Sequence, residues 1–136
     1  MGRFDHEKLD VYQASIEFVA LADSSVEHLP RGRAYLADQL QRAATSIPLN
    51  IAEGAGEFSS SEKSRFYRMA KRSATESAAI LDVCRCLALV DDSLFQQGRD
   101  LLLRIVAMLI TLARRSAASG TGTGTGSGTG SGTGGR

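Results

Sequence analysis

Apolar residues recur along this chain at spacings of three and four, and no stretch alternates apolar with polar as a half-buried strand would. That single pattern excludes a sheet and predicts amphipathic helices. The first, from about Glu7 to His28, carries Leu9, Tyr12, Ile16, Val19 and Val26 on one stripe, and it must stop at Leu29-Pro30-Arg31-Gly32 because a residue before proline avoids the helical region. The second, from about Arg33 to Glu57, carries Leu36, Leu40, Ala43, Ile47 and Ile51, and Gly54 and Gly56 weaken its end. Ser59 followed by Glu62 is a capping-box signature for a third helix, from Ser60 to about Leu89, with Phe66, Met69, Ser73, Glu76, Ile80, Val83 and Leu87 inward. Asp91 or Asp92 starts a fourth, to about Arg115, with Leu94, Leu101, Leu102, Ile105, Leu109 and Leu112 inward. Four such helices joined by short loops pack most simply as an all-α, antiparallel, up-and-down four-helix bundle.

The bundle is expected over residues 1–118. From Ser119 the chain is only Gly, Thr and Ser until Arg136, a tract with nothing apolar to bury, and it reads as a disordered tail over 119–136. The formal net charge of +1 gives no global attraction to nucleic acid, so any basic surface must be local. Cys84 and Cys86 stand two apart on a helix and point different ways, which fits buried packing in a reducing compartment. No signal sequence opens the chain and no apolar run is long enough to span a bilayer, so no membrane is expected and the cytoplasm is the default.

One residue interrupts the pattern. Pro48 lies inside the second helix, where it lacks an N–H and crowds the carbonyl of Ala44, at a cost of about 3 kcal/mol and a bend in the axis. Thr45 and Ser46 can offset part of this by bonding freed carbonyls. The bend either curves the helix around its neighbours or shapes a surface for another chain.

The run "QLQRAATSIPLNIAEGAGE", with "FDHEKLDVYQASIEF" before it and "EKSRFYRMAKRSATES" after it, closely resembles the four-helix-bundle protein family of 23S ribosomal RNA intervening sequences. The resemblance rests on Gln39, Leu40, Arg42, Ala43, Ser46, Ile47, Pro48, Asn50, Ile51, Ala52, Glu53 and Gly54, then on Arg65, Phe66, Ala70, Ser73 and Glu76. It covers about residues 4–114. Family members commonly carry glycine before that serine, where this chain has Arg72. The resemblance implies an up-down bundle that assembles with itself into rings, typically pentamers. More distantly it is similar to the accessory variability determinant of diversity-generating retroelements, a partner of a reverse transcriptase that binds nucleic acid.

The inventory for catalysis is thin. His6 and His28 stand apart with no spaced carboxylates or thiols for a metal, there is no glycine-rich phosphate loop, and the Glu-x-x-His repeats of di-metal bundles are missing. No catalytic, cofactor-binding or metal-binding residue is therefore expected. The polar signature needs another account. With the hairpin turning near residues 57–59, Arg42 faces Glu76 and Ser73, and Asn50 faces Phe66 and Arg65. That predicts a structural network, with Arg42 and Glu76 ion-paired and Asn50 satisfying backbone freed by Pro48. The alternative puts Asn50 and Glu53 at a subunit contact, setting register as a buried polar residue does in a coiled coil.

Lys63, Arg65, Arg68, Lys71 and Arg72 form a basic strip on the third helix, a local footprint for RNA or DNA, although Glu62, Glu76 and Asp82 share that helix and no aromatic ladder accompanies it. Val11, Phe18, Leu49, Phe58, Phe95 and Val106 lie off or at the edges of the core stripes, and exposed apolar groups of that kind mark contact surfaces. The expected function is thus a non-enzymatic, homo-oligomeric bundle that binds or scaffolds; the alternative is a nucleic-acid-binding accessory protein serving ribosomal RNA or a reverse transcriptase.

Overall fold

The computed structural model describes residues 2–126. A 3-10 turn (Asp5–Lys8) leads into α1 (Asp10–Val26), followed by α2 (Ala34–Gly56), α3 (Ser60–Cys86) and α4 (Asp92–Gly126), with no strand among the described residues. α1 packs on α2, α2 on α3, α3 on α4 and α4 back on α1, while the backbones of the diagonal pairs stay apart across the core. Ser46 meets Ser73 and Gly54 meets Tyr67, so rising numbers on α2 face falling numbers on α3. Ser64 meets Ala113 and Gly98 meets Leu81, so α3 and α4 are related in the same way.

The ends follow local chemistry. The first helix begins later than its periodicity suggests, because Phe4 N–H donates to Glu7 Oε1 at 2.7 Å and closes a separate turn before extended Leu9. Ser59 caps α3, its Oγ accepting from Glu62 N–H at 3.3 Å. Only half of the capping box forms, since the Glu62 carboxylate turns to Arg65 instead. α3 ends at Cys86 rather than Leu89. There Leu89 N–H reaches back to the Cys84 carbonyl at 2.8 Å and Ala88 N–H to that of Arg85 at 3.0 Å, a Schellman pair that requires a left-handed residue between helix and loop. That residue is Ala88, at φ 58°. α4 continues past Arg115 to Gly126, so helix occupies 119–126, where the composition predicts a tail; extending an existing helix needs no new nucleus. The rest of that tract, 127–136, lies outside the described residues.

The stripes of α2 and α4 largely match the core: Leu36, Leu40, Ala43, Ile47, Ile51, Leu101, Leu102, Ile105 and Leu109 are all buried, while Leu94 and Leu112 are half-buried. Those of α1 and α3 do not. α1 buries Val11, Ala14, Ser15, Phe18, Ala22 and Ser25, leaving Tyr12, Val19 and Val26 half-buried and Ile16 exposed. α3 buries Ser64, Tyr67, Ala70, Ala74, Ser77, Ile80, Leu81 and Cys84, while Glu76, Val83 and Leu87 are exposed. In both helices alanine and serine make up half or more of the buried stripe, where small side chains suit close packing. The serines are buried at little cost: Ser15 and Ser25 donate to the carbonyls of Tyr12 and Leu21, at 2.7 and 2.9 Å, and Ser77 to that of Ser73 at 2.9 Å. Val11, Phe18 and Phe95, expected outside the core, are inside it.

Candidate functional site

The signature lies on the α2–α3 seam and on the outer surface of α2. Pro48 is buried and α2 runs through it. One turn before it, Thr45 Oγ1 donates to the carbonyl of Gln41 at 2.8 Å and also contacts that of Arg42 at 3.2 Å. Asn50 Nδ2 donates to the Ser46 carbonyl at 2.9 Å and to Ser46 Oγ at 3.0 Å, and Ser46 shares a 2.8 Å hydrogen bond with Ser73. Because Ser46 Oγ accepts from Asn50, its own proton is available to Ser73. Asn50 therefore locks the seam through Ser46. It does not reach the Ala44 carbonyl that Pro48 leaves without its helical donor, as the sequence suggests it would.

The seam is tight below this network. Gly54 lies so close to α3 that a Cβ there would stand 2.8 Å from Tyr67 Cε1 and 3.2 Å from Phe66 Cβ. Lys63 Nζ closes the end of α2, donating to the carbonyls of Gly54 and Ala55 at 2.9 and 3.0 Å. A cation on the last carbonyls of a helix also meets the negative end of its dipole.

The Arg42–Glu76 ion pair does not form. Both side chains are exposed, and the ion pairs among the described residues are Lys8–Asp5 and Arg65–Glu62. Rotation of the helices is the reason: Ser73, not Glu76, is the α3 residue that meets α2 through Ser46, and Glu76 and Arg42 both lie outside the seam. Arg42 instead shares the outer stripe of α2 with Tyr35, Asp38, Leu49 and Glu53, all exposed. Tyr35 keeps 51% and Leu49 66% of its surface in solvent, and Phe58, just past the helix end, is fully exposed.

The basic strip is largely spent within the chain. Lys63 caps α2. Arg65 grips Glu62, with Nη2–Oε1 at 2.8 Å, and lies 4.6 Å above the Phe66 ring. The hydrogen bond from Arg65 holds the Glu62 carboxyl below its usual pKa, and the same contact raises that of Arg65. Arg68 Nη1 donates to buried Ser64 Oγ at 2.7 Å, and Ser64 donates to the Ala113 carbonyl at 3.1 Å, tying α3 to α4. The side chains of Lys71 and Arg72 are left without a hydrogen-bond or ion-pair partner among the described residues.

Among the described residues no three His, Cys, Asp or Glu side chains come together to hold a metal ion, and no helix is long and apolar enough to cross a membrane. Cys84 is buried, Cys86 exposed, and both are free thiols. Residues 7–111 match the family described as 23S rRNA-intervening sequence protein. The chain belongs to that family. A search among curated proteins finds no match. Within this 23S rRNA-intervening sequence protein the signature divides into two sets. Ser46, Asn50, Gly54 and Ser73 build the seam and Pro48 is buried within α2, whereas Arg42, Glu53 and Glu76 face outward. The division is legible only once the register is known, because helix periodicity alone does not say which side of α2 meets α3.

Proposed function

We propose that this protein is a non-enzymatic module that assembles with copies of itself and works by presenting a repeated helical surface to a partner. The observation that carries the reading is the outer stripe of α2. Tyr35 and Leu49 are exposed there beside Arg42 and Glu53, two signature residues of opposite charge with no ion-pair partner among the described residues. An apolar stripe with unpaired charges of both signs suits a protein contact: the apolar groups supply burial and the charges choose the partner and the register. The bend expected at Pro48 would set the curvature of this face. A ring of five is proposed on the family resemblance alone.

The reading is tested by light scattering over a wide dilution range. The expected mass is a fixed multiple of 14.5 kDa that Leu49→Asp lowers, and a monomeric mass at every micromolar concentration defeats the proposal. Binding to ribosomal RNA or another nucleic acid is the competing reading. It draws on Lys71 and Arg72 alone, since the other three cations of the strip hold contacts within the chain. Titration with RNA at two salt concentrations separates the two, because phosphate contacts weaken steeply with salt and an apolar protein contact does not.

A further inference from the structure

α2 and α4 occupy opposite corners of the bundle. Each packs against α1 and α3, and their backbones stay apart across the core. Both run against α3, so they point the same way along the bundle while their outer faces look in opposite directions. A second copy displaced sideways, without being inverted, therefore brings its α4 alongside the α2 of the first as parallel neighbours.

The outer residues of the two helices match in that arrangement. On α2, Asp38 and Glu53 are fifteen residues apart, with Leu49 one turn before Glu53. On α4, Arg99 and Arg114 are also fifteen residues apart, with Ile110 one turn before Arg114. All six are exposed, as is Leu103, which keeps 55% of its surface in solvent and falls opposite Arg42 in the same alignment. At a helical rise of 1.5 Å per residue the two charge pairs lie about 22 Å apart and bracket the apolar contact. Aligned in the opposite direction through the same Leu49–Ile110 contact, Glu53 would meet Val106 and Asp38 would meet residue 121, and neither charge would find a partner.

We propose that the α2 outer face of one copy packs, in parallel, on the α4 outer face of the next, with Asp38 on Arg99, Leu49 on Ile110 and Glu53 on Arg114. This rests on the reading that the chain assembles with itself, and it names the two surfaces that meet. The contact is heterologous, using different patches on the two copies, so it repeats around a ring until the ring closes. The apolar centre excludes water, and the flanking pairs fix direction and register.

Charge reversal with rescue tests the contact in the full chain. Glu53→Arg alone and Arg114→Glu alone place like charges face to face and are expected to lower the light-scattering mass toward the 14.5 kDa monomer. Both substitutions in one chain restore the pair with its polarity exchanged and are expected to recover the wild-type mass. Far-UV circular dichroism checks that each variant keeps its helices, as exposed positions allow. An assembled wild type whose single variants keep their mass overturns this contact while leaving self-assembly standing. So does a double variant that stays dissociated. A wild type that is monomeric throughout removes the underlying reading instead.

Discussion

Replacing Gly54 with alanine should destabilise the bundle, against the ordinary trend for helices. Within a helix, glycine to alanine normally stabilises by about 0.5–1 kcal/mol, because the backbone loses less freedom on folding. Here the added methyl would stand 2.8 and 3.0 Å from two ring carbons of Tyr67 and 3.2 Å from Phe66 Cβ. Carbon atoms prefer about 3.5–4.0 Å, so something must move by about half an ångström or more. Tyr67 is 3% exposed and cannot swing out, which leaves separation of α2 from α3. Separation would also stretch the Lys63 bonds to the Gly54 and Ala55 carbonyls and the Ser46–Ser73 bond. Overpacking of this kind costs about 1–3 kcal/mol, so the net expectation is a loss of about 1–2 kcal/mol, or several degrees in Tm for a domain of this size. Gly56 is the internal control, because a Cβ there meets nothing within 4 Å and alanine should be neutral or slightly stabilising. Urea unfolding followed by circular dichroism at one protein concentration provides the measurement. A Gly54→Ala variant as stable as the wild type, beside a Gly56→Ala variant that behaves as expected, would refute the argument. A double-mutant cycle with Tyr67→Ala should show coupling, since removing the ring relieves the clash.

Ala88→Gly should stabilise the protein by about 1 kcal/mol, because the left-handed conformation at φ 58° strains any residue with a Cβ, and thermal unfolding should shift upward. Lys63→Met should lower the unfolding free energy by about 1 kcal/mol by removing the side-chain donor to the Ala55 carbonyl and the second donor to the Gly54 carbonyl, which keeps its bond from Glu57 N–H, as read by the denaturation midpoint. Burial, with the nearby Asp5 charge as a smaller cause, raises the Tyr67 phenol above its ordinary pKa of 10.0. The contribution of neutral Tyr67 is therefore complete below pH 10 and is lost as pH rises toward the raised folded value, so Tm should fall in that range and fall less in Tyr67→Phe. The Glu62 carboxyl runs the other way: its pKa is lowered by Arg65, so whatever the pair contributes is present above pH 4.5 and disappears on acidification below it, a loss that Glu62→Gln should abolish.

The residues that could be read correctly in the sequence were those whose environment is set by large apolar side chains. α2 and α4 carry Leu and Ile on one stripe, and the buried set follows that stripe. α1 and α3 offered a false stripe, because their large residues sit partly outside while Ala and Ser make the close contacts. Hydrophobicity ranks Ile16 above Ser15 and Val83 above Ala74, yet backbone proximity favours the smaller member of each pair. The same rotation of α3 undid the Arg42–Glu76 pairing, which required Glu76 to face α2. A buried serine whose hydroxyl returns to its own helix, as in Ser15, Ser25 and Ser77, behaves as a small apolar residue. An alternation of Ala and Ser at helical spacing would have been the signal to look for.

The candidate site was half legible for a related reason. The hairpin turn near Glu57 was predictable, and it brought the right segments together, but hairpin symmetry leaves the register free by a turn. Within that freedom the signature reads equally well as a buried ion pair or as an outward face. The structure removes the ambiguity: the 2.8 Å contact of Ser46 with Ser73 marks the edge of the seam, and the exposure of Arg42, Leu49 and Glu53 puts them on the outer side of that edge. Three of the five strip cations are then held within the chain, Lys63 on the end of α2, Arg68 through Ser64 toward α4 and Arg65 on Glu62 of its own helix, which shifts the weight of any function from the charges of α3 to the outer surfaces of α2 and α4. A protein whose specific residues are divided between a locked seam and an unpartnered face has the parts that self-association needs. The seam keeps the outer face rigid, and rigidity lets charges fifteen residues apart select one register over another.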